Sequence, residues 1–428
     1  MLAAVLVACG TSHGAGSGRL GRDGGLADAG NGTDADAGGD AGTPCDGGQA
    51  DAGTPTPLTL FDGAELSRPP ELVTPAQGLS PGVTDASHDF GGNLWAVSAS
   101  RLFLKRAGLG GVESWGSGSG LKGDELLGVG GAAAGVAWVG YRGEGDSDDD
   151  PEWMWWTGGV GKVVLDGADI DVKNLSLYSP PGMYSQYPGG RHKLRTCYRV
   201  YPVKVGPHAG DQWFGCNHGM ALVYGPNDRV LEHHHPGYCE WHVDTQSCTL
   251  HTGDVAALAI AADQDVWFGG SYGVGLLDYD QNGQPNFWGP EPVHNQPLWA
   301  QPLDPNQYGS EDVVGLAVAG DGSLWAASAH SGLAHRLGDG TVQLYQEAQG
   351  LPSNELLDVA ADGANGLWLA TTTRGVWRLD LGTGELRKAG GLPSDQAYRV
   401  VYEPTQAGPM LTVTVKGGVA VYPGTGAP

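Results

Sequence analysis

Three observations in the sequence predict an all-β fold, a seven-bladed β-propeller of four-stranded antiparallel blades. A tryptophan-bearing strand recurs along the chain, with uninterrupted spacings of 43 residues. Short apolar or alternating runs, each closed by Gly, Asp or Asn, surround every copy, as tight antiparallel strands require. Gly (74) and Pro (27) fill close to a quarter of the 428 positions, so turns are too frequent for helices to dominate.

The repeat is clearest from Gly350 onward. Gly350-Leu351-Pro352-Ser353-Asn354 opens it, and Leu356 to Ala360 is a first strand. Gly366 to Thr371, Gly375 to Leu379 and Glu385 to Arg387 follow, and Gly391-Leu392-Pro393-Ser394 begins the next unit. Four such strands make one blade. The tryptophan strand recurs at Trp95, Trp138, Trp213, Trp267, Trp325 and Trp368, with Leu411-Thr412-Val413 a degenerate seventh copy. An indole fills the wedge between neighbouring sheets, and a small residue just after it lets the next sheet approach. Pro70 to Thr74 reads as an outer strand without a blade of its own. The last unit stops after Val419 to Tyr422, so exchange between the two ends would complete the seventh blade and remove an exposed edge.

This pattern, Gly-Leu-Pro-Ser-Asn, a hydrophobic strand, Asp-Gly, Leu-Trp-Leu-Ala-Thr and Arg-Gly-Val, resembles the two-component regulator propeller repeat family. Residues 350–404 carry the resemblance best, residues 78–104 and 311–337 less fully, and the middle departs more. The resemblance implies a β-propeller of the kind found in periplasmic sensor regions and in stand-alone secreted proteins. Residues 57–428 contain no kinase, receiver or DNA-binding pattern, so only the sensor-like propeller is implied.

Residues 1–9 form an apolar run ending in Cys9, which resembles a bacterial lipoprotein signal. Leu6-Val7-Ala8-Cys9 matches the lipobox, with Cys9 the expected lipidation site. The usual opening Lys or Arg is missing, as expected if translation starts upstream of Met1. Residues 10–56 are rich in Gly, Ala, Asp and Thr and have no aromatic residue, so they cannot offset the entropy of ordering and read as a disordered linker. No run of 18 apolar residues follows, so attachment to a membrane is expected through lipid only, at the cell envelope facing periplasm or exterior. The chain carries 48 acidic against 23 basic residues, a formal charge of -25, which repels phosphate backbones and excludes nucleic acid as a natural partner.

Three spacings exceed the repeat: 75 residues from Trp138 to Trp213, 54 to Trp267 and 58 to Trp325, which places inserted loops in blades two to five. Inserted loops on a rigid repeat are where binding concentrates. The first holds Glu144, Asp146, Asp148, Asp149, Asp150 and Glu152, then Trp153, Trp155 and Trp156. Solvated acidic surface is one reading. Calcium held by Asp148 and Asp150, and a sugar stacked on the indoles, are the others.

Residues 192–251 hold eight of the thirteen histidines together with Cys197, Cys216, Cys239 and Cys248. Cys216-x-His218 and Cys239-x-x-His242 have spacings that suit zinc or copper, and His218, His234 and His242 form a three-histidine alternative. An exported protein meets an oxidising compartment, which favours disulfides Cys197 with Cys216 and Cys239 with Cys248. Cys45 is left over.

The leading expectation is a monomeric binding module for a cell-envelope protein or carbohydrate, with no firm cofactor. Trp153, Trp155, Trp156, His234 and His242 are the candidate contacts. The alternative is a metal-dependent propeller lyase or hydrolase using residues 192–251, with calcium or zinc as the divalent metal and no catalytic residue assignable.

Overall fold

The computed structural model delimits two units, Met1–Gly48 and Gln49–Pro428, and all residues described lie in the second. They are residues 58–61, 69–145, 153–154, 157–177, 194–234, 237–242, 247–252, 254–262, 265–271, 273–279, 285–287, 313–337, 342–363 and 365–423. Cys9, Cys45, the 10–56 linker, Asp148, Asp150, Trp155 and Trp156 lie outside them.

Seven sheets of at least four strands follow one another along the chain. Their innermost strands are Val83–His88, Leu126–Gly131, Cys197–Pro202, Val255–Ile260, Val313–Val318, Leu356–Ala361 and Ala397–Thr405, here numbered blades 1 to 7. Each innermost strand neighbours the next, and that of blade 7 neighbours that of blade 1, so the ring is closed. The second strands carry the repeated tryptophans at one register position, opposite Ser87, Gly130, Tyr201, Ala259, Ala317 and Ala360. This is the seven-bladed propeller that the repeat predicts.

Each indole reaches forward into the following blade. Trp95 packs with Leu126 and Val139, Trp138 with Val200 and Phe214, Trp213 with Leu258 and Phe268, and Trp325 with Leu356 and Leu369. Burying such a side chain is worth roughly 2–3 kcal/mol, so these contacts contribute strongly to holding neighbouring blades together. The close approach is visible two residues on. A Cβ at Gly140, Gly215 or Gly269 would meet the first residue of the next innermost strand at 2.3, 2.5 and 2.5 Å. In blade 7 the tryptophan position is Thr412, opposite Val401.

The Gly-Leu that opens the repeat also has a local cause. Single 3-10 turns at Pro75–Gln77, Ser117–Ser119 and Glu347–Gln349 lead from an outer strand to the next blade. They end on Gly78, Gly120 and Gly350 at φ 103°, 90° and 93°, a left-handed conformation that only glycine adopts without strain. The leucine after each, Leu79, Leu121 or Leu351, is buried.

Glu71–Val73 pairs antiparallel with Val419–Val421 and supplies the outer strand of blade 7, as the end-exchange reading requires. A second strand from the same side was not legible in advance: Thr59–Phe61 pairs parallel with Glu385–Arg387, giving blade 6 five strands. Leu58 secures it through a 2.6 Å hydrogen bond from its N–H to the Gln349 carbonyl.

Candidate functional site

Every innermost strand carries a register shift at the same place, and the residues that follow it are Asp85, Gly128, Arg199, Ala257, Gly315, Asp358 and Arg399. The bulge thus sets seven equivalent positions, and four of them are ionisable. Arg399 stands between its two acidic neighbours across the seam of the ring. Its Nη1 donates to Asp85 Oδ2 at 3.1 Å, and its Nε lies 3.7 Å from Asp358 Oδ2. Its guanidinium also lies 5.6 Å from the Tyr201 ring centre.

Each of the two carboxylates binds the following blade as well. Asp85 Oδ2 accepts the Val129 N–H at 3.0 Å, and Asp358 Oδ2 accepts that of Val400 at 3.3 Å. A Cβ at the neighbouring Gly315 would sit 2.7 Å from Asp358 Oδ1, so the absence of a side chain there is what admits the carboxylate.

Burial pushes the Asp85 and Asp358 carboxyls above the usual range, against the opposing pull of Arg399 and Arg199. Burial likewise works against the Arg399 charge, but Asp85, Tyr201, Asp358 and Glu403 outweigh it and hold its pKa above the ordinary value. Two aspartates and two arginines make this level of the channel formally neutral.

A second ionic cluster lies where the innermost strands end. Lys204, on the segment after the innermost strand of blade 3, reaches across to Glu403 of blade 7 at 2.8 Å and to the His88 carbonyl of blade 1. Glu403 also accepts the Ser87 hydroxyl at 2.6 Å and the His88 N–H at 2.8 Å. His88 Nδ1 lies 2.8 Å from Thr412 Oγ1, the residue that replaces tryptophan in blade 7. Burial lowers the His88 pKa to about 4, so the ring is neutral at pH 7. Between the two clusters runs a cavity of about 690 Å³, lined by residues of all seven innermost strands.

Equivalent levels meet from blade to blade, so the innermost strands run in one direction. Antiparallel pairing then brings the links from second to third strand, and from each blade to the next, to the face where those strands begin. The described ends of all the long insertions lie on this face: Arg142 to Gly158, Ser176 to Thr196, the links around 235–254, and those between Phe287 and Val313. Among the described residues the opposite face carries shorter links, of which residues 203–211 of blade 3 are the longest.

On the insertion face Trp153 is 57% exposed. The base of its loop is tied down: Thr157 Oγ1 donates to the Met154 carbonyl at 2.8 Å and accepts the Glu144 N–H at 2.7 Å. Arg195, 2% exposed, reaches the Glu144 carbonyl with Nη1 at 2.9 Å.

Cys197 and Cys216, register partners at the start of blade 3, form a disulfide, which removes both from any metal site. The zinc or copper reading through Cys216 and His218 is therefore replaced by a covalent clasp. His218 occupies the adjoining turn at φ 60°, and its N–H points to Asp254 Oδ1 at 3.4 Å, while Tyr198 donates to Asp254 Oδ2 at 2.7 Å. His234 ends the outer strand of blade 3, opposite Met220, on the same face.

His242 belongs to a separate two-stranded ribbon, Gly237–His242 with Ser247–Thr252, where it stands opposite Ser247. In that ribbon Cys239 stands opposite Leu250 and Cys248 opposite Trp241, two places apart in register. The side chains of His234, His242, Cys239 and Cys248 lie outside the described residues. Among the described residues no three His, Cys, Asp or Glu side chains are grouped to hold a metal ion. Also among them, no helix is long and apolar enough to cross a membrane.

Sequence reasoning pointed to the insertions and missed the channel, whose ionic residues are scattered over blades 1, 3, 6 and 7. The signal that could have found the two aspartates is an Asp at the fourth position before the Asp that precedes the tryptophan strand, as in Asp85 and Asp89 or Asp358 and Asp362; the arginines lack it, since Val203 stands four residues after Arg199 and Glu403 four after Arg399.

No family model matches the chain, and no curated protein matches it. Solved structures do. Virginiamycin B lyase from Staphylococcus aureus is similar at 10% identity and a TM-score of 0.52, over 82% of this chain and 97% of that one. YCF48 bound to D1 peptide is similar at 14% identity and a TM-score of 0.50, over 87% and 100%. A chain of the mitotic checkpoint complex is similar at 10% identity and a TM-score of 0.52, over 86% and 98%. At these identities the likeness is one of fold: the chain shares the architecture of β-propellers.

Proposed function

We propose that this propeller is an extracytoplasmic, lipid-anchored binding module of the cell envelope, which engages a protein or carbohydrate partner through its insertion face. The observation that carries the reading is that the described ends of the long insertions all open on one side of the ring, where Trp153 is exposed. Similar propellers include YCF48, whose structure holds the D1 peptide, and a component of the mitotic checkpoint complex. The ionic groups of the channel bind one another, so they support a rigid platform better than a reacting centre. The resemblance to two-component regulator propeller repeats and to a lipoprotein signal supplies the envelope location.

The test uses the full chain expressed with a lipid-labelling precursor, alongside Cys9→Ala. Label and membrane association should both depend on Cys9. Photo-crosslinkers placed at position 153, on the insertion face, and at position 205, on the opposite face, should capture an envelope component from position 153 only. Equal capture from both positions, or none from position 153, would overturn the binding-face reading.

A further inference from the structure

We infer that Asn365 is a self-modification site, at which the chain converts its own side-chain amide to aspartate and isoaspartate through a cyclic imide. The site is independent of the insertion face. It lies on the opposite side, in the blade 6 turn from Leu356–Ala361 to Gly366–Thr371.

A buried ion pair dictates the residue after Asn365. Arg378 Nε donates to Asp362 Oδ2 at 2.8 Å, and both residues are buried. A Cβ on residue 366 would overlap Arg378 Nη2 and Asp362 Oδ2, so only glycine fits there. The backbone nitrogen next to Asn365 therefore carries no side chain to hinder its approach to the Asn365 amide carbon.

Backbone conformation adds to this. Asn365 has φ 130°, whereas His218 and Asp228, the other described non-glycine residues at positive φ, lie near the left-handed well at 60° and 52°. A residue held outside that well is strained, and a longer backbone at this point releases the strain.

The reacting groups stand together. Gly366 N–H donates to Asp362 Oδ1 at 3.0 Å, which gives the nitrogen a carboxylate to take the proton it must lose. The Arg378 guanidinium beside that carboxylate offsets the negative charge that develops. Asn365 is exposed, and its side-chain amide makes no hydrogen bond among the described residues, so water reaches it and nothing retains the leaving group.

Gly366 nitrogen bonds to Asn365 Cγ and the Cγ–Nδ2 bond breaks. The Gly366 proton passes by way of Asp362 to the departing nitrogen, which leaves as ammonia. Water then opens the imide at either carbonyl. One product is aspartate at position 365. The other, isoaspartate, adds a methylene to the backbone and displaces the carbonyl that accepts the Leu381 N–H at 2.9 Å. Each adds a carboxylate to a turn where Arg378 already serves Asp362 and Asp380.

The test incubates the full chain, folded and in concentrated urea, and follows the peptide spanning position 365 by mass spectrometry, with isoaspartyl methyltransferase labelling of the products. Asn31-Gly32 and Asn282-Gly283 repeat the same dipeptide, and their rates in urea gauge the unassisted reaction. Asn365 should convert at least as fast folded as in urea, faster in alkali than at neutral pH, and yield isoaspartate. Asp362→Asn keeps the shape and withdraws the carboxylate, so it should slow the folded reaction at least about tenfold and leave the urea rate unchanged. Should Asp362→Asn fail to fold, the comparison of folded and unfolded parent decides alone. A folded rate below the urea rate, a rate indifferent to alkali, or equal rates for the parent and a folded Asp362→Asn would each overturn the inference.

Discussion

Arg399 is the residue on which the seam between blades 6, 7 and 1 turns. It is nearly fully buried and lies close to two carboxylates that reach different blades, so removing its charge leaves Asp85 and Asp358 with only the pull of Arg199. Arg399→Met should lower stability by roughly 3–5 kcal/mol, measured as the urea midpoint. Adding Asp85→Asn and Asp358→Asn should recover a large part of that loss, and a triple variant as unstable as the single one would contradict the account. His88 gives the pH dependence. Its folded pKa, about 4, lies below the unfolded value of 6.5, so the unfolded chain binds the extra proton between these limits. Stability from this group is therefore fully present above pH 6.5 and falls as the pH drops toward 4. From pH 6.5 to 5 the loss is roughly 2 kcal/mol, and His88→Gln should abolish that increment. Asp85 and Asp358, whose folded pKa values are raised, act in the opposite sense at the acid end, so the comparison must be made between parent and variant at each pH.

At the scale of the element, the disulfide joins two neighbouring strands of blade 3 beneath the largest insertions. It closes a loop of 19 residues, so its loss should cost about 2–4 kcal/mol. Cys197→Ser with Cys216→Ser tests this by thermal unfolding, and an unchanged melting temperature would show the clasp to be redundant. Strands, turns and the indole wedges were legible because each is written within about ten residues, as an alternating run, a Gly-Leu cap or a Trp followed by a small residue. The pairing of Cys197 with Cys216 was expected too, as a tie between an insertion and its blade in an oxidising compartment. Thr59–Phe61 was not: three residues carry too little pattern to announce a partner more than 300 positions away. The channel ring escaped for the same reason, because its members are joined by register and not by sequence.

For the whole molecule, closure rests on Glu71–Val73, whose Val73 is fully buried between blades 7 and 1. Val73→Asp places a charge there and should open the ring at that point. Hydrogen exchange would then rise first in strands Gly418–Pro423 and Val83–His88, whereas a uniform rise would indicate that the blades unfold as one. The notion of a binding disc depends on this closure, since an open array would splay the seven strands that enclose the channel.

The added strand on blade 6 bears on how the protein withstands pulling. Tension applied through the chain ahead of Leu58 meets the Thr59–Phe61 pairing before it meets Glu71–Val73, so the two short ladders act in series. The first to peel is the added strand, before load reaches the ring. The added strand is thus a sacrificial link that spares the ring. Force spectroscopy on the full chain should show a small early extension at low load, separate from rupture of the propeller, and deletion of residues 57–61 should erase only that first event.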